Sequence, residues 1–434
     1  MRVGGCLGAA EGLDRGRLGA AEFRPSMRER TLDVAPRSGP TAAVVAAICG
    51  AEILSLAGYS IVPALLPRLI AGWALTNTEG GWLAGISSAG YMLAVLPLVG
   101  LTDRLPARQI FLASSALNVV SNCGLALSDG LLPALGFRAL SGVALAGMYM
   151  PGLRALTGNL GGKRRSRVSA LYTTSFTIGV SLSFLLGAAG LVWGWRGAFL
   201  LAAALCAGGA LVAWAALPQG EPEAGGAPPA LFDLRPVLGN RDVLMLIVAY
   251  AAAIAGSAGL RQWIVVFLAF CGADPRLGAT SGWSMLGAGA LINLLGVPAG
   301  LLGTELSLRF GLRHTALAIF LLSALIGGVF GFAATLPYLA VFWLSLAAGF
   351  IVQGNFANLT AGLLAVAAPR HQGATAALYS CLGLAAGFLG TIVFGITLDQ
   401  FGGAVRLAAW ILSFATGGLA CLAGAAAMAF LSHK

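Results

Sequence analysis

Long apolar runs separated by short polar segments make up most of this chain. Twelve of the runs have roughly 20 residues or more, the length at which an α-helix crosses a hydrocarbon layer about 30 Å thick. Because backbone polar groups must bond to one another in lipid, the runs predict helices and not strands. Spans 1 to 12 lie near residues 41–66, 80–100, 109–127, 131–153, 168–190, 197–217, 243–271, 281–303, 312–333, 337–367, 374–398 and 406–431.

Composition points to the same class of protein. The chain has 434 residues, of which 58% are hydrophobic and 10% are charged, and its mean hydropathy is +0.87. A water-soluble fold of this length has too little interior to bury so much apolar surface. The sequence therefore predicts an all-α membrane protein with twelve transmembrane helices in a lipid bilayer.

The basic residues are distributed unevenly between the two sides of this arrangement. If residue 40 is cytoplasmic, the cytoplasmic segments hold 20 of the 26 Lys and Arg residues and the outer loops hold four. This positive-inside bias predicts a multi-pass protein of the inner membrane with both termini in the cytoplasm. The net charge of +10 is then explained by topology, and no nucleic-acid partner is expected.

The longest polar interruption after the N-terminal segment divides the spans into two sets of six. Residues 218–242 include five of the 18 prolines and predict a cytoplasmic linker. The predicted domains are an N-terminal bundle, 41–217, and a C-terminal bundle, 243–431. Residues 1–40 predict a disordered basic cytoplasmic tail, and residues 432–434 a short cytoplasmic C-terminus.

The two halves correspond at an offset of about 205 residues. In this alignment DRLPAR matches LRFGLR, so Arg104 pairs with Arg309 and Arg108 pairs with Arg313. An even number of spans in each half gives the two copies the same orientation in the membrane. Parallel repeats of this kind are the arrangement of a transporter whose halves rock against each other.

These motifs resemble those of the major facilitator superfamily of secondary transporters. The loop signature of that family, G-x-x-x-D-R-x-G-R-[KR], is matched here by Asp103, Arg104 and Arg108. Its helix 4 signature, an arginine followed four residues later by a glycine, is matched by Arg138 and Gly142. The resemblance extends from about residue 41 to the end and implies two parallel six-helix bundles.

The loop signature is incomplete in both halves. It departs from the family at three positions, Val99, Pro106 and Ala107. The second copy keeps Arg309 and Arg313 but has Leu308 in place of the acid, with Glu305 one turn earlier. In the family, the acid at Asp103 closes the cytoplasmic side by meeting the start of span 11. The resemblance therefore implies a gate that is weaker in the second half.

Three charged side chains lie deep inside the spans: Glu52, Arg138 and Arg261. A charge facing lipid costs several kcal/mol, so each of them is expected to face a partner or a water-filled cavity. They fall on spans 1, 4 and 7, which line the central cavity, together with span 10, in the family that this chain resembles.

Polar and aromatic residues follow these charges at helical spacing. Tyr59, Tyr149 and Tyr250 share faces with the three charged residues, and Asn355 and Asn358 form a shorter stripe on span 10. A stripe of this kind predicts a face toward a cavity. The alternative for all five is simple packing between helices.

Each buried charge has a functional interpretation and a structural one. Guanidinium groups give two-point hydrogen bonds to carboxylates and similar anions, so Arg138 and Arg261 are candidates for binding an anionic substrate. Glu52 is a candidate carrier of a coupling proton, because an intramembrane carboxylate can take up and release one. Alternatively, Glu52 is a permanent counter-ion for Arg138.

The leading hypothesis is a monomeric secondary active transporter that moves a small organic or inorganic anion by alternating access. Coupling to protons is a further hypothesis within it. Proton-coupled drug efflux is the alternative, although GVSLSFLLGAAG in span 5 lacks the proline of the family's drug antiporters. A membrane sensor or enzyme is a third class. A sensor is disfavoured because no segment could form a soluble domain, and an enzyme is disfavoured because Glu52 is the one acid within the predicted spans.

No cofactor is expected, since no phosphate-binding loop or cysteine metal motif occurs in the sequence.

Overall fold

The computed structural model is built from α-helices, as the apolar runs predict. It describes residues 40–101, 105–158, 160–217, 235–273, 282–367 and 372–431. Within these ranges, nine helices are long and apolar enough to cross a membrane, and further apolar helices are shorter or broken. This count is compatible with twelve spans.

The N-terminal half contains spans 1 to 6. Their helices are Ala42–Ser55 with Ile61–Gly72, then Asn77–Leu101, Ala107–Leu127, Leu131–Thr157, Gly162–Leu186 and Ala189–Ala216. Span 5 begins at Gly162, six residues before the predicted run, because its basic first turns continue the helix beyond the apolar segment. Hydropathy locates the part of a helix in hydrocarbon and not the end of the helix.

The C-terminal half contains spans 7 to 12 and is preceded by a short helix, Arg235–Leu238. Its first helix begins at Arg241, two residues inside the predicted linker, where the Asn240 side chain accepts hydrogen bonds from the first turn. The spans are Arg241–Gly256 with Ala258–Gln262 and Ile264–Cys271, then Gly282–Phe310, Leu312–Val329 with the 3-10 helix Phe330–Thr335, Tyr338–Gln353 with Asn355–Val366, Gln372–Gln400, and Leu407–Ala429.

Spans 1, 7 and 10 are discontinuous. Span 1 changes direction at a turn over residues 56–60, span 7 is interrupted at Ser257 and Trp263, and span 10 is interrupted at Gly354. An interrupted helix leaves backbone groups without their usual partners, and inside a membrane protein other side chains must bond them. Such breaks typically surround the substrate site of a secondary transporter.

The two halves are packed together at one end of the molecule. We call the end at which span 1 begins the basic face, and the other end the opposite face. Near the opposite face, spans 2 and 11 approach so closely that a Cβ atom on Gly81 would lie 2.8 Å from the Thr391 backbone oxygen. Spans 5 and 8 also meet there, with Gly289 against the ring of Phe184. Small residues thus allow the close contact between the halves.

Candidate functional site

The turn in span 1 is held by polar side chains from neighbouring spans. Asn118 Nδ2 donates to the Ser55 backbone oxygen at 2.7 Å. The Ser183 hydroxyl donates to the Ala57 backbone oxygen at 2.6 Å and accepts from the Ser60 backbone nitrogen at 2.8 Å. These bonds replace the helical ones that the turn removes.

Arg138 in span 4 completes this set of bonds. Its Nη2 donates to the Tyr59 backbone oxygen at 2.6 Å, and its Nη1 donates to the Gly58 backbone oxygen at 3.4 Å. One turn further along span 4, a Cβ atom on Gly142 would lie only 1.9 Å from the Ser87 backbone oxygen. The arginine and glycine of the helix 4 signature therefore fasten span 4 to spans 1 and 2.

The central cavity has a volume of about 300 Å³ and lies between the two halves. Five aromatic side chains line it: Tyr59, Tyr91, Tyr149, Phe176 and Tyr250. Hydroxyl groups and one amide add polar atoms: Ser87, Ser88, Ser257, Gln262, Ser380 and Thr391. Spans 1, 2, 4, 5, 7 and 11 thus contribute to the described walls.

Arg261 is the one charged side chain among the described lining residues of this cavity. Its Nη2 lies 3.4 Å from Asn293 Oδ1, a long hydrogen bond. No carboxylate in the described part of the chain forms an ion pair with it. The adjacent Gln262 also lines the cavity, and its Oε1 has no hydrogen-bond partner among the described residues. Arg261 therefore offers strong donors that protein groups leave largely unused, whereas the unpaired atom of Gln262 is an acceptor.

Glu52 is buried in span 1 and is not among the described lining residues of the central cavity. Ser175 of span 5 donates a hydrogen bond to its Oε2, whereas its Oε1 has no partner among the described residues. The titratable groups close to it are those of Cys49, Tyr149 and Tyr172. The ion pair between Glu52 and Arg138 considered above is wrong, because the Arg138 guanidinium is bound to the carbonyl oxygens of the span 1 turn.

The predicted cavity residues separate into two groups. Tyr59, Tyr149 and Tyr250 lie in the cavity wall, as does Arg261, whereas Arg138 lies outside the wall. Their predicted contact with substrate stays a prediction.

The asparagine stripe of span 10 faces other helices. Asn355 Nδ2 donates to the Ala316 backbone oxygen in span 9, and Asn358 Nδ2 donates to Ser307 Oγ in span 8, both at 3.2 Å. Both side chains are buried, and neither is among the described lining residues of the central cavity. These contacts agree with the alternative interpretation, in which the two asparagines pack between helices and do not face the cavity.

The sequence analysis missed several lining residues, among them Tyr91, Phe176 and Gln262, and all those of span 11. Tyr91 and Phe176 lie on spans 2 and 5, which have no charged residue in their interior. The stripes were found by starting from such a charge. The positions of the tyrosines could have indicated the cavity wall, because four of the seven tyrosines of the chain line this cavity.

The basic residues of the repeated loop motif have equivalent contacts in the two halves. Arg108 Nη2 donates to the Trp214 backbone oxygen near the end of span 6 at 2.6 Å, and Arg313 Nη2 donates to that of Ala429 at the end of span 12 at 2.7 Å. A cation at the C-terminal end of a helix is favoured by the helix dipole.

Of the four remaining residues of that motif, two belong to the described part of the chain and two do not. Arg309 and Glu305 form an ion pair at 2.8 Å along span 8. Asp103 and Arg104 lie outside the described residues, so the predicted contact of Asp103 with span 11 stays a prediction.

An acid that the sequence analysis did not select joins the halves at the opposite face. Asp399, near the end of span 11, accepts hydrogen bonds from the backbone nitrogens of Asn77 and Thr78 at 3.0 and 2.7 Å. The side chains of the same two residues donate to it at 2.7 and 2.6 Å. An acid at the N-terminal end of span 2 also meets favourable partial positive charge.

A cavity between two helical halves, bordered by broken helices, is the arrangement typical of a membrane transporter. The sequence profile of the Major Facilitator Superfamily matches residues 48–391. The chain belongs to this superfamily. The family and the all-helical membrane fold expected from the sequence are thereby confirmed.

Solved structures share this fold. A bacterial homologue of the human lysosomal transporter Spinster, in an inward-facing and unoccupied conformation, is 18% identical with a TM-score of 0.69; the match covers 90% of this chain and 94% of that chain. The nucleoside transporter NupG is 13% identical with a TM-score of 0.73, and the match covers 90% and 100% of the two chains. These identities support a common fold and no common substrate.

A curated relative matches over a shorter stretch. The niacin transporter NiaP of Acinetobacter baylyi is 25% identical over 142 residues, which are 32% of this chain and 32% of that protein. The match thus spans about a third of the length of the curated relative.

Proposed function

We propose that this protein is a secondary active transporter of small organic anions, with Arg261 as the anion contact in the central cavity. The observation that carries the proposal is a guanidinium in the cavity wall that has no carboxylate partner among the described residues. A charge within the membrane is expensive unless a partner or water compensates it. A substrate anion supplies such a partner in each transport cycle, and the two halves then move about it by alternating access.

The name of the curated relative supports an organic rather than an inorganic anion. Niacin is a small carboxylic acid, and the match to its transporter covers 142 residues. Drug efflux receives less support, because a cationic compound would meet the positive charge of Arg261 in the cavity.

We assign the basic face to the cytoplasm. The described basic residues at that face include Arg108, Arg164 and Arg313, and 20 of the 26 basic residues of the sequence fall on this side of the predicted topology. Both termini then lie in the cytoplasm, and the protein lies in the inner membrane.

Glu52 is our candidate for proton coupling. It is buried in a span, has no basic partner among the described residues, and keeps one carboxylate oxygen without a hydrogen bond. A carboxylate in this position can hold a proton in one state of the cycle and release it in another. Substrate movement coupled to protons would then use Arg261 for the anion and Glu52 for the proton.

A thermal-shift screen of the purified protein in detergent tests the anion site. Carboxylates are expected to raise the melting temperature of the parent protein and of Arg406→Gln, whose exposed side chain lies at the opposite face. Arg261→Gln should bind them about 10- to 100-fold more weakly, because a charged hydrogen bond is lost. Equal stabilisation of Arg261→Gln, or stabilisation by cationic compounds alone, would contradict the proposal.

A further inference from the structure

We propose that the ligand of the central cavity is an aromatic monocarboxylate with a single ring, whose ring packs against Phe176 and whose carboxylate binds Arg261. This inference rests on the proposed anion site and adds the chemical class of the substrate. It follows from the aromatic wall, the single charge and the small volume of the cavity.

The aromatic wall in the N-terminal half is built from rings that hold one another. The ring of Phe176 lies 5.1 Å from that of Tyr149 and 6.1 Å from that of Tyr59, both in edge-to-face geometry. Tyr149 is also stacked on Tyr172 at 5.7 Å. Fixed rings present a flat apolar surface at little further cost in entropy, and another ring packs on such a surface more favourably than its area alone predicts.

The C-terminal half contributes a second fixed ring. Tyr250 lines the cavity and is stacked on Tyr379 with 3.8 Å between the ring centroids. Arg261 and Gln262 lie three turns further along span 7 and line the same cavity. A ligand that contacts Phe176 and Arg261 together therefore bridges the two halves.

The charge of the wall limits the charge of the ligand. One guanidinium, that of Arg261, can neutralise one carboxylate, and the described lining residues contain no second cation. The Gln262 side chain beside it also lines the cavity, and its amide NH2 group is the part that can donate to a carboxylate oxygen of the same ligand. A dicarboxylate would leave one charge without a partner, which is unfavourable in a confined site.

The volume limits the size of the ligand. At about 300 Å³, the cavity is at the lower end of the range of about 300 to 1,000 Å³ that is typical of small-molecule sites. One ring with a carboxylate is suited to this space. A small inorganic anion would leave the aromatic wall unused.

Calorimetric titrations with the full-length protein test the class of ligand. Benzoate, cyclohexanecarboxylate and benzamide have similar sizes, but the second lacks the aromatic ring and the third lacks the charge. We expect benzoate to bind about tenfold more tightly than cyclohexanecarboxylate, because the saturated ring of the second compound cannot stack on the aromatic wall. Benzamide should bind at least about tenfold more weakly than benzoate, because it cannot form the charged hydrogen bonds to Arg261.

A pair of variants locates the ring. Phe176→Leu should weaken the binding of benzoate more than that of cyclohexanecarboxylate, and so remove most of the preference for benzoate. Phe332→Leu is the matched control, since Phe332 is 53% exposed and lies in the 3-10 helix that ends span 9. The preference should stay at its parental value in this control.

The outcomes separate the inference from the function on which it rests. Equal affinity of the parent protein for benzoate and cyclohexanecarboxylate, with both lost in Arg261→Gln, would overturn the aromatic class and leave the anion site intact. Binding of benzoate that does not require Arg261 would overturn the anion site itself. Failure of all three compounds to bind the parent protein would overturn the aromatic monocarboxylate class.

Discussion

Arg138 Nη2 donates a hydrogen bond of 2.6 Å to the backbone oxygen of Tyr59. This bond connects span 4, about two turns after its start, to the turn of span 1, and Tyr59 lines the central cavity from that turn. Arg138 therefore acts on the cavity through Tyr59, as a positioning residue. The two arginines within the spans thus differ in role: Arg138 is buried and binds backbone oxygens, whereas Arg261 is partly exposed and faces the cavity.

Arg138→Lys is expected to destabilise the protein by about 1 to 3 kcal/mol, because an ammonium cannot reproduce the planar two-point contact with the span 1 turn. Thermal unfolding in detergent should show a lower melting temperature than in the parent. The exposed Arg406→Lys provides the control and should unfold as the parent does. An unchanged melting temperature in Arg138→Lys would show that the turn does not depend on this contact.

Gly142→Ala is expected to cost about 1 to 3 kcal/mol, because its Cβ would lie 1.9 Å from the Ser87 backbone oxygen and would force spans 2 and 4 apart. Gly136→Ala, on the same helix, is the matched control, since no described atom lies within 4 Å of its added Cβ. Chemical denaturation of the two variants checks the difference. Similar losses in both would contradict the importance of this close contact.

Asp399→Ala is expected to loosen the opposite face. The start of span 2 would lose four hydrogen bonds to this carboxylate. Loss of a capping interaction of about 1 kcal/mol should speed hydrogen exchange of the first turn of span 2 about fivefold. Exchange measured by mass spectrometry on peptides covering residues 77–85 checks this.

Asp129→Ala is the control for that measurement, since Asp129 is an exposed acid at the same face and pairs with Arg196. It should leave exchange in residues 77–85 unchanged. Equal exchange in Asp399→Ala and the parent would mean that Asp399 does not hold the halves together.

Glu52→Gln is expected to abolish uptake driven by a proton gradient and to preserve substrate exchange. Glutamine can still accept the hydrogen bond from Ser175 but cannot carry a proton. Benzoate uptake into proteoliposomes should fall at least about tenfold, whereas benzoate counterflow without a gradient should stay near the parental rate. Glu305→Gln, an exposed change at the basic face, should alter neither rate. Unchanged pH dependence of uptake in Glu52→Gln would remove its coupling role.

Hydropathy predicted the helices of this fold because lipid permits few other structures for long apolar runs. It did not predict the breaks in spans 1, 7 and 10. A break depends on whether side chains of other spans can bond the freed carbonyl oxygens, as Asn118, Ser183 and Arg138 do for span 1. These contacts are separated by more than 60 residues in the chain and leave no local pattern.

Helical spacing shows which residues share a face, but it does not show which neighbour that face meets. The stripe containing Tyr250 and Arg261 faces the cavity, whereas the stripe of Asn355 and Asn358 meets spans 8 and 9. Asp399 was overlooked because an acid at the end of an apolar run resembles an ordinary loop charge. Its importance comes from the position of span 2, which the sequence does not specify.

The most direct test of the central claim is a crystal structure of the protein with 4-bromobenzoate, in which anomalous scattering locates the bromine atom. The account predicts a bromine peak in the central cavity, with the ring against Phe176 and the carboxylate within about 3 Å of the Arg261 guanidinium. A ligand bound at full occupancy elsewhere, or in the cavity with its carboxylate turned away from Arg261, would contradict it.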